Sequence, residues 1–174
     1  VQVSIEDIGW IVTIGDKGSS PVNLTVDQTG YIYVSYLNGN AIRKFDTSGN
    51  SVEIGKGVLS NTVWIYGNSF SGGANVLYVS DNGGERIVKM DPAGNVLGTI
   101  NFKPYGKADT LFVDYYGQYI YASASKACVV NKIDQSGTRA GVFGNKQVLN
   151  NPRGITLDEN LNLWVVNKGN NTLV

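Results

Sequence analysis

One five-residue phrase, said four times, constrains this chain more than any other feature. Tyr31-Ile-Tyr33-Val-Ser35 returns as Val76-Leu-Tyr78-Val-Ser80, as Tyr119-Ile-Tyr121-Ala-Ser123 and as Asn162-Leu-Trp164-Val-Val166. The central aromatics stand 45, 43 and 43 residues apart. An alternating run of aromatic and β-branched residues is a half-buried strand. A near-constant period in the forties then means one small sheet per repeat. A single four-stranded sheet cannot bury both its faces, so such sheets must stack on one another.

Each repeat divides into four short strands, a to d. The repeats span about 21–56, 60–101, 108–144 and 151–174. In the first, strand a is Asn23 to Val26, b is Tyr31 to Ser35, c is Ala41 to Phe45 and d is Ser51 to Ile54. The second runs Thr62 to Tyr66, Val76 to Ser80, Arg86 to Met90 and Val96 to Ile100. Its a–b connection, 67–74, swells into a Gly- and Ser-rich insert carrying Phe70. The third runs Thr110 to Val113, Tyr119 to Ser123, Cys128 to Ile133 and Ala140 to Phe143. The fourth offers Gly154 to Leu157 and Leu161 to Val166, and reaches Thr172 to Val174 as strand c begins. The c–d turns Asp46-Thr-Ser-Gly49, Asp91-Pro-Ala-Gly94 and Asp134-Gln-Ser-Gly137 predict type I turns followed by a glycine bulge, with the Asp carboxylate on the following N–H groups. No stretch carries a helical period.

Residues 1–15 read as the missing half of the fourth repeat. Gln2, Val3, Ser4 and Ile5 resemble a strand c. Glu6-Asp-Ile-Gly9 stands where the acidic turn belongs. Trp10, Ile11, Val12, Thr13 and Ile14 resemble a strand d. The sequence is thus close to circularly in phase. These strands either close the fourth sheet within one molecule or are given to a neighbour, because an unclosed sheet exposes an edge prone to pairing.

Composition removes several functions. The 174 residues carry 14 basic and 14 acidic side chains, so no net charge draws the chain to nucleic acid. There is no His, the commonest metal ligand and general base. One Cys, Cys128, excludes an internal disulfide framework, and we read it as a small core residue opening a strand. No apolar run is long enough for a membrane-spanning helix. The chain opens on Val1 without a basic-then-apolar leader, as a processed chain or an excised piece would. The tripeptides Asn23-Leu-Thr25 and Asn170-Asn-Thr172 permit a glycan at Asn23 or Asn170.

Asn151-Pro-Arg-Gly-Ile-Thr-Leu-Asp158 followed by Asn162-Leu-Trp-Val-Val-Asn167 resembles the NHL repeat. Asn40-Ala-Ile-Arg-Lys-Phe-Asp46 and Glu85-Arg-Ile-Val-Lys-Met-Asp91 resemble its later part. The likeness covers nearly the whole chain and shades into propellers of the lactonase and streptogramin-lyase type. Only the fourth repeat keeps the opening Pro-x-Gly, and the second lacks the acid after strand a. The resemblance implies an all-β fold, a β-propeller of about four four-stranded blades, the last shared between the two ends of the chain. The rings it resembles usually have more blades, so this is a four-bladed ring or part of a larger one. Tyr33, Tyr78, Tyr121 and Trp164 then become packing residues between blades.

Asp27, Asp114 and Asp158 end successive a strands, where they anchor turns or ring one mouth of the central channel and hold a cation. Lactonase-type propellers keep calcium in the channel, so the resemblance leaves room for calcium, although composition itself asks for no cofactor. Tyr36, Phe70, Tyr105, Tyr115 and Tyr116 fall in or beside connections, and Arg153 precedes an a strand. Aromatic and Arg side chains are what an interaction surface uses. The reading that follows is an extracellular or cell-surface module for protein interaction or scaffolding, binding a protein partner or copies of itself, and not an enzyme. The competing reading is a calcium-dependent, lactonase-like hydrolase using the channel.

Overall fold

The computed structural model describes residues 20–68 and 75–174. The predicted closing segment (Gln2 to Ile5 and Trp10 to Ile14) and Phe70 lie outside the described residues. Blade 1 is β1 (Pro21–Val26), β2 (Ile32–Tyr36), β3 (Ile42–Phe45) and β4 (Ser51–Ile54). Blade 2 is β5 (Thr62–Asn68), β6 (Val76–Asp81), β7 (Arg86–Met90) and β8 (Val96–Asn101). Blade 3 is β9 (Thr110–Val113), β10 (Tyr119–Ala124), β11 (Val129–Asp134) and β12 (Arg139–Phe143). Among the described residues blade 4 holds β13 (Pro152–Leu157), β14 (Leu163–Asn167) and β15 (Thr172–Leu173). Every blade is an antiparallel meander in chain order, and the a strands β1, β5, β9 and β13 follow one another along the inside. The fold is an all-β propeller of four blades. The only helical pieces among the described residues are short 3-10 turns.

Strand alternation gives each blade two faces. One carries the central aromatic of the repeated phrase; the other is aliphatic. Tyr33, Ile42 and Ile54 on the aromatic face of blade 1 pack with Ile65, Leu77, Val79, Val88 and Met90 on the aliphatic face of blade 2. Tyr78, Ile87 and Ile100 of blade 2 meet Leu111, Val113, Ile120, Ala122 and Ile133 of blade 3. Tyr121 and Val130 of blade 3 meet Val165, Ile155, Leu157 and Leu163 of blade 4. These three clusters are therefore interfaces of one kind, and burying apolar area there is a main stabilising force.

Polar bonds fix the same register each time. Ser35 Oγ donates to the Val63 carbonyl, Ser80 Oγ to that of Ala108, and Thr110 Oγ1 to that of Arg153. Lys44 Nζ donates to the Pro92 carbonyl at 3.0 Å, and Lys89 Nζ to the Gln135 carbonyl at 3.1 Å. Both lysines thus hold the c–d turn of the next blade. On the inner strands, Asn23 Oδ1 accepts from Ile65 N–H and Thr25 Oγ1 from Gly67 N–H. Gly67 is needed there, because a Cβ would lie 2.9 Å from Thr25 Oγ1.

The predicted turns form as expected. Gly49, Gly94 and Gly137 adopt φ of 85°, 92° and 91° and donate to the carbonyls of Asp46, Asp91 and Asp134. Three details differ from the sequence reading. β5 runs on through Gly67 and Asn68, paired with Leu77 and Val76. Cys128 does not open a strand: it closes the b–c turn of blade 3 at φ 59°, half-buried, and β11 starts at Val129. Leu161 does not open β14. It occupies the glycine slot of an acidic turn, at φ 64°, with its N–H on the Asp158 carbonyl.

Candidate functional site: an aromatic mouth at the a–b end

The a strands run the same way, so their C-terminal ends converge at one end of the blades. A cavity of about 840 Å³ opens there. Blade 1 contributes Val26 and Asp27, blade 2 Tyr66, blade 3 Phe112, Tyr115 and Tyr116, and blade 4 Leu157, Asp158, Glu159 and Leu161. Among the described residues no Lys or Arg lines it. Tyr66 and Phe112 form a tilted pair with ring centroids 5.3 Å apart, and Tyr115 and Tyr116 an edge-to-face pair, also at 5.3 Å. Both Tyr115 and Tyr116 are exposed.

The tyrosine loop is held from beneath. Asp114 accepts from the N–H groups of Gln118 and Tyr119, and the Gly117 N–H bonds back to the Asp114 carbonyl. Gln135 Nε2 donates to the Gly117 carbonyl at 2.8 Å, while its Oε1 accepts from Tyr78 OH. Burial, and then the charge of Asp114, push the Tyr66 hydroxyl above its ordinary value. The pair therefore stands on a fixed platform, and little ordering cost opposes binding to it.

The channel carboxylates serve the backbone. Asp27 accepts from Thr29 N–H, Thr29 Oγ1, Tyr31 N–H and the buried Tyr33 OH at 2.8 Å. Burial pushes its carboxyl up, but these bonds outweigh burial and hold it below the ordinary value. Asp158 accepts from Asn160 and Asn162 N–H groups, Asn162 Nδ2 and Trp164 Nε1, and is likewise lowered, by Asn162 first and Trp164 next. Among the described residues no three acidic or thiol side chains come together as a metal-binding group.

The other predicted surface residues do not share this mouth. Tyr36 lies at the b–c end under Arg43, 5.7 Å from the guanidinium. Tyr105 packs edge-on against Phe102, donates to the Gly137 carbonyl and has Arg139 over its ring. Arg153 pairs with Asp109 at 3.4 Å in a second cavity of about 840 Å³ at the b–c end. Of the two sequons, Asn23 lies on the innermost strand with its amide oxygen committed to β5, and Asn170 is exposed. Sequence reasoning missed Tyr66, Phe112, Glu159 and Gln135. Tyr66 and Phe112 lie directly opposite Tyr78 and Tyr121 on the aromatic faces of β5 and β9, a shared position that only the paired register makes visible.

The sequence matches no protein-family model and no curated protein. Solved structures do resemble it. The catalytically inactive H270A virginiamycin B lyase from Staphylococcus aureus with quinupristin superposes with a TM-score of 0.74 at 15% identity, over 93% of this chain and 54% of that one. A streptogramin B lyase gives 0.73 at 19% identity, over 89% and 50%. Hydrazine synthase from Kuenenia stuttgartiensis gives 0.67 at 15% identity, over 90% and 45%. The likeness is one of fold. This chain spans about half the length of each of these proteins.

Proposed function

We propose that this chain is a recognition and scaffold module, not a catalyst, and that the aromatic mouth at the a–b end binds a cationic segment of a protein partner. The observation that carries this reading is the cavity walled by Tyr66, Phe112, Tyr115 and Tyr116, rimmed by Asp158 and Glu159 and, among the described residues, free of basic side chains. Aromatic faces and carboxylates together suit a Lys or Arg side chain. Lyase chemistry draws no support from these residues. The similar virginiamycin B lyase is described as catalytically inactive once a single His is replaced, and this sequence contains no His. Nor do the mouth aspartates offer a proton: Asp27 and Asp158 have lowered pKa values, and their oxygens already accept several donors. An extracellular or surface setting agrees with the low charge and the exposed Asn170 sequon. A mass loss on deglycosylation after secretion from a eukaryotic host would support it.

The binding reading is tested by titrating the purified chain with a Lys- and Arg-containing peptide and with its Glu-substituted counterpart. NMR of selectively labelled tyrosines reads the result. Only the basic peptide should shift the Tyr115 and Tyr116 rings, and Tyr115→Ala with Tyr116→Ala should abolish binding while leaving thermal stability unchanged. Equal response to both peptides, or none, would overturn it.

A further inference from the structure

The second large cavity, at the b–c end, opens where blade 3 departs from its neighbours. In blades 2 and 4 the residue after the repeated phrase ties the incoming d–a connection to the sheet. Asp81 accepts from the N–H groups of Ser60 and Asn61, and Asn167 Oδ1 accepts from Asn150 N–H. In blade 3 that residue is Ala124, which has no polar side-chain atom to offer. The connection facing it is equally small: a Cβ on Gly106 would lie 3.7 Å from the Ala124 Cβ. Two small residues stand where a clasp would be, and about 840 Å³ is left open beside them. That volume falls within the range of small-molecule sites, about 300–1,000 Å³.

The charges around this cavity are of the opposite sign from those of the aromatic mouth. Among the described residues the mouth carries Asp27, Asp158 and Glu159 and no basic side chain. The b–c cavity is lined by Lys107, Lys126 and Arg153 against Glu85 and Asp109. Both acids already have partners. Asp109 accepts from Ser125 N–H at 2.9 Å and from Ser125 Oγ, and it pairs with Arg153 at 3.4 Å. Glu85 lies 3.9 Å from Lys103, which stands outside the lining. Lys107 and Lys126 are exposed and have no acidic partner among the described residues. Two uncompensated positive charges therefore border one cavity, with a guanidinium beside them. A chain of zero net charge is thus two-ended at its cavities.

We propose that the b–c cavity binds the phosphate monoester group of a small molecule. A dianion matches the two unpaired lysines in charge, and an ammonium is a point charge that meets phosphate oxygens from any direction. Arg153 is held by Asp109 while its side chain stays 41% exposed, so it adds directed N–H groups at the edge. Ala124 and Gly106 leave room for the rest of the molecule. A phosphodiester carries a single charge where a monoester carries about −1.5 to −2 at neutral pH, so the cavity discriminates between them. The inference does not depend on what the aromatic mouth binds.

Inorganic phosphate is the probe, titrated into the isotope-labelled chain at about pH 8, where it is dianionic, and at constant ionic strength. The backbone amides of Gly106, Lys107, Lys126 and Ala127 should shift together in the NMR spectrum and saturate. Dimethyl phosphate, a monoanionic diester, should bind more weakly. Lys107→Gln combined with Lys126→Gln should weaken phosphate binding about tenfold, the product of two surface charge contacts. Both side chains are exposed, so neither change threatens the fold. Lys56→Gln removes the same charge from an exposed lysine outside the cavity and should leave the affinity unchanged. Shifts that never saturate would overturn the proposal. So would equal affinity for the diester, or a Lys56→Gln variant weakened as much as the double variant, since general attraction to a basic surface would behave in that way.

Discussion

Asp81 and Arg86 give the sharpest test of how one blade is tied to the next connection. Asp81 is fully buried. Its Oδ1 accepts from Ser60 N–H, Ser60 Oγ and Asn61 N–H at 2.9–3.0 Å, and its Oδ2 from Arg86 Nε at 2.9 Å. Arg86 in turn donates to the Val58 carbonyl. Blade 4 solves the same problem without charge. Val148-Leu-Asn-Asn151 stands where Val58-Leu-Ser-Asn61 stands. Asn167 replaces Asp81, and Thr172 replaces Arg86. Asn167 Oδ1 accepts from Asn150 N–H, while its Nδ2 donates to the Val148 carbonyl and to Thr172 Oγ1. Asp81→Asn alone turns an amide donor toward the guanidinium and removes a charge-assisted bond, at a cost of about 2–3 kcal/mol for a partly exposed Arg. Arg86→Thr alone strands a buried carboxylate, at a similar cost of about 2–3 kcal/mol. The double variant reproduces the arrangement of blade 4 and should return to within about 1 kcal/mol of wild type. Urea unfolding followed by Trp fluorescence at neutral pH measures all four proteins, with m-values expected to agree. If the double variant is as unstable as the two single costs added together, the equivalence of the two clasps is wrong.

Leu161→Gly should stabilise the fold by about 1 kcal/mol, because an exposed leucine now fills a left-handed glycine slot, and a lowered melting temperature would contradict that assignment. Asn131 is fully buried with both side-chain polar atoms unpaired, and its counterpart in blade 2 is Val88; Asn131→Val should add about 1–2 kcal/mol by urea unfolding. The carboxyls of Asp27, Asp46, Asp81, Asp91, Asp134 and Asp158 are all lowered in the folded state. Their contribution is therefore complete above the unfolded value of about 4 and fades as pH falls through the folded values. The urea midpoint should be flat above about pH 5 and drop below it, and a midpoint rising with acid would refute the turn assignments.

The strand phrase was readable because it combines two signals, a period of two within each strand and a period in the forties between them. The acidic turns were readable because their geometry needs both an acceptor and a left-handed residue, and Asp-x-x-Gly supplies both. The misreadings have the same source. In Asp158-Glu-Asn-Leu161 the turn survives without its glycine, so the leucine looked like the start of a strand when it was the end of a turn. Cys128 deceived in the same way, since an apolar run after it hid a left-handed residue before β11. The site was less legible than the fold. Tyr115 and Tyr116 announced themselves as loop aromatics, but sequence gave no means of telling which end of a blade a connection occupies. Arg153 and the two tyrosines, grouped as one surface, stand at opposite ends.

The repeat also explains why so few acids remain for chemistry. A blade of short strands needs tight turns, and each turn here takes one carboxylate as the acceptor for the N–H groups two and four residues on. Asp27, Asp46, Asp91, Asp134 and Asp158 all do this. A carboxylate so used is held ionised and pointed at its own backbone, which disqualifies it as a general acid and leaves few free oxygens for a cation. Asp81 and Asp109 are spent in another way, on Arg86 and Arg153. The aromatic residues carry no such duty at the mouth. Tyr33 and Tyr78 are consumed by packing, whereas Tyr115 and Tyr116 pair edge to face and line an open cavity. What the described residues offer at that end is therefore ring faces edged by Glu159, and this is the ground on which we propose recognition of a cation there.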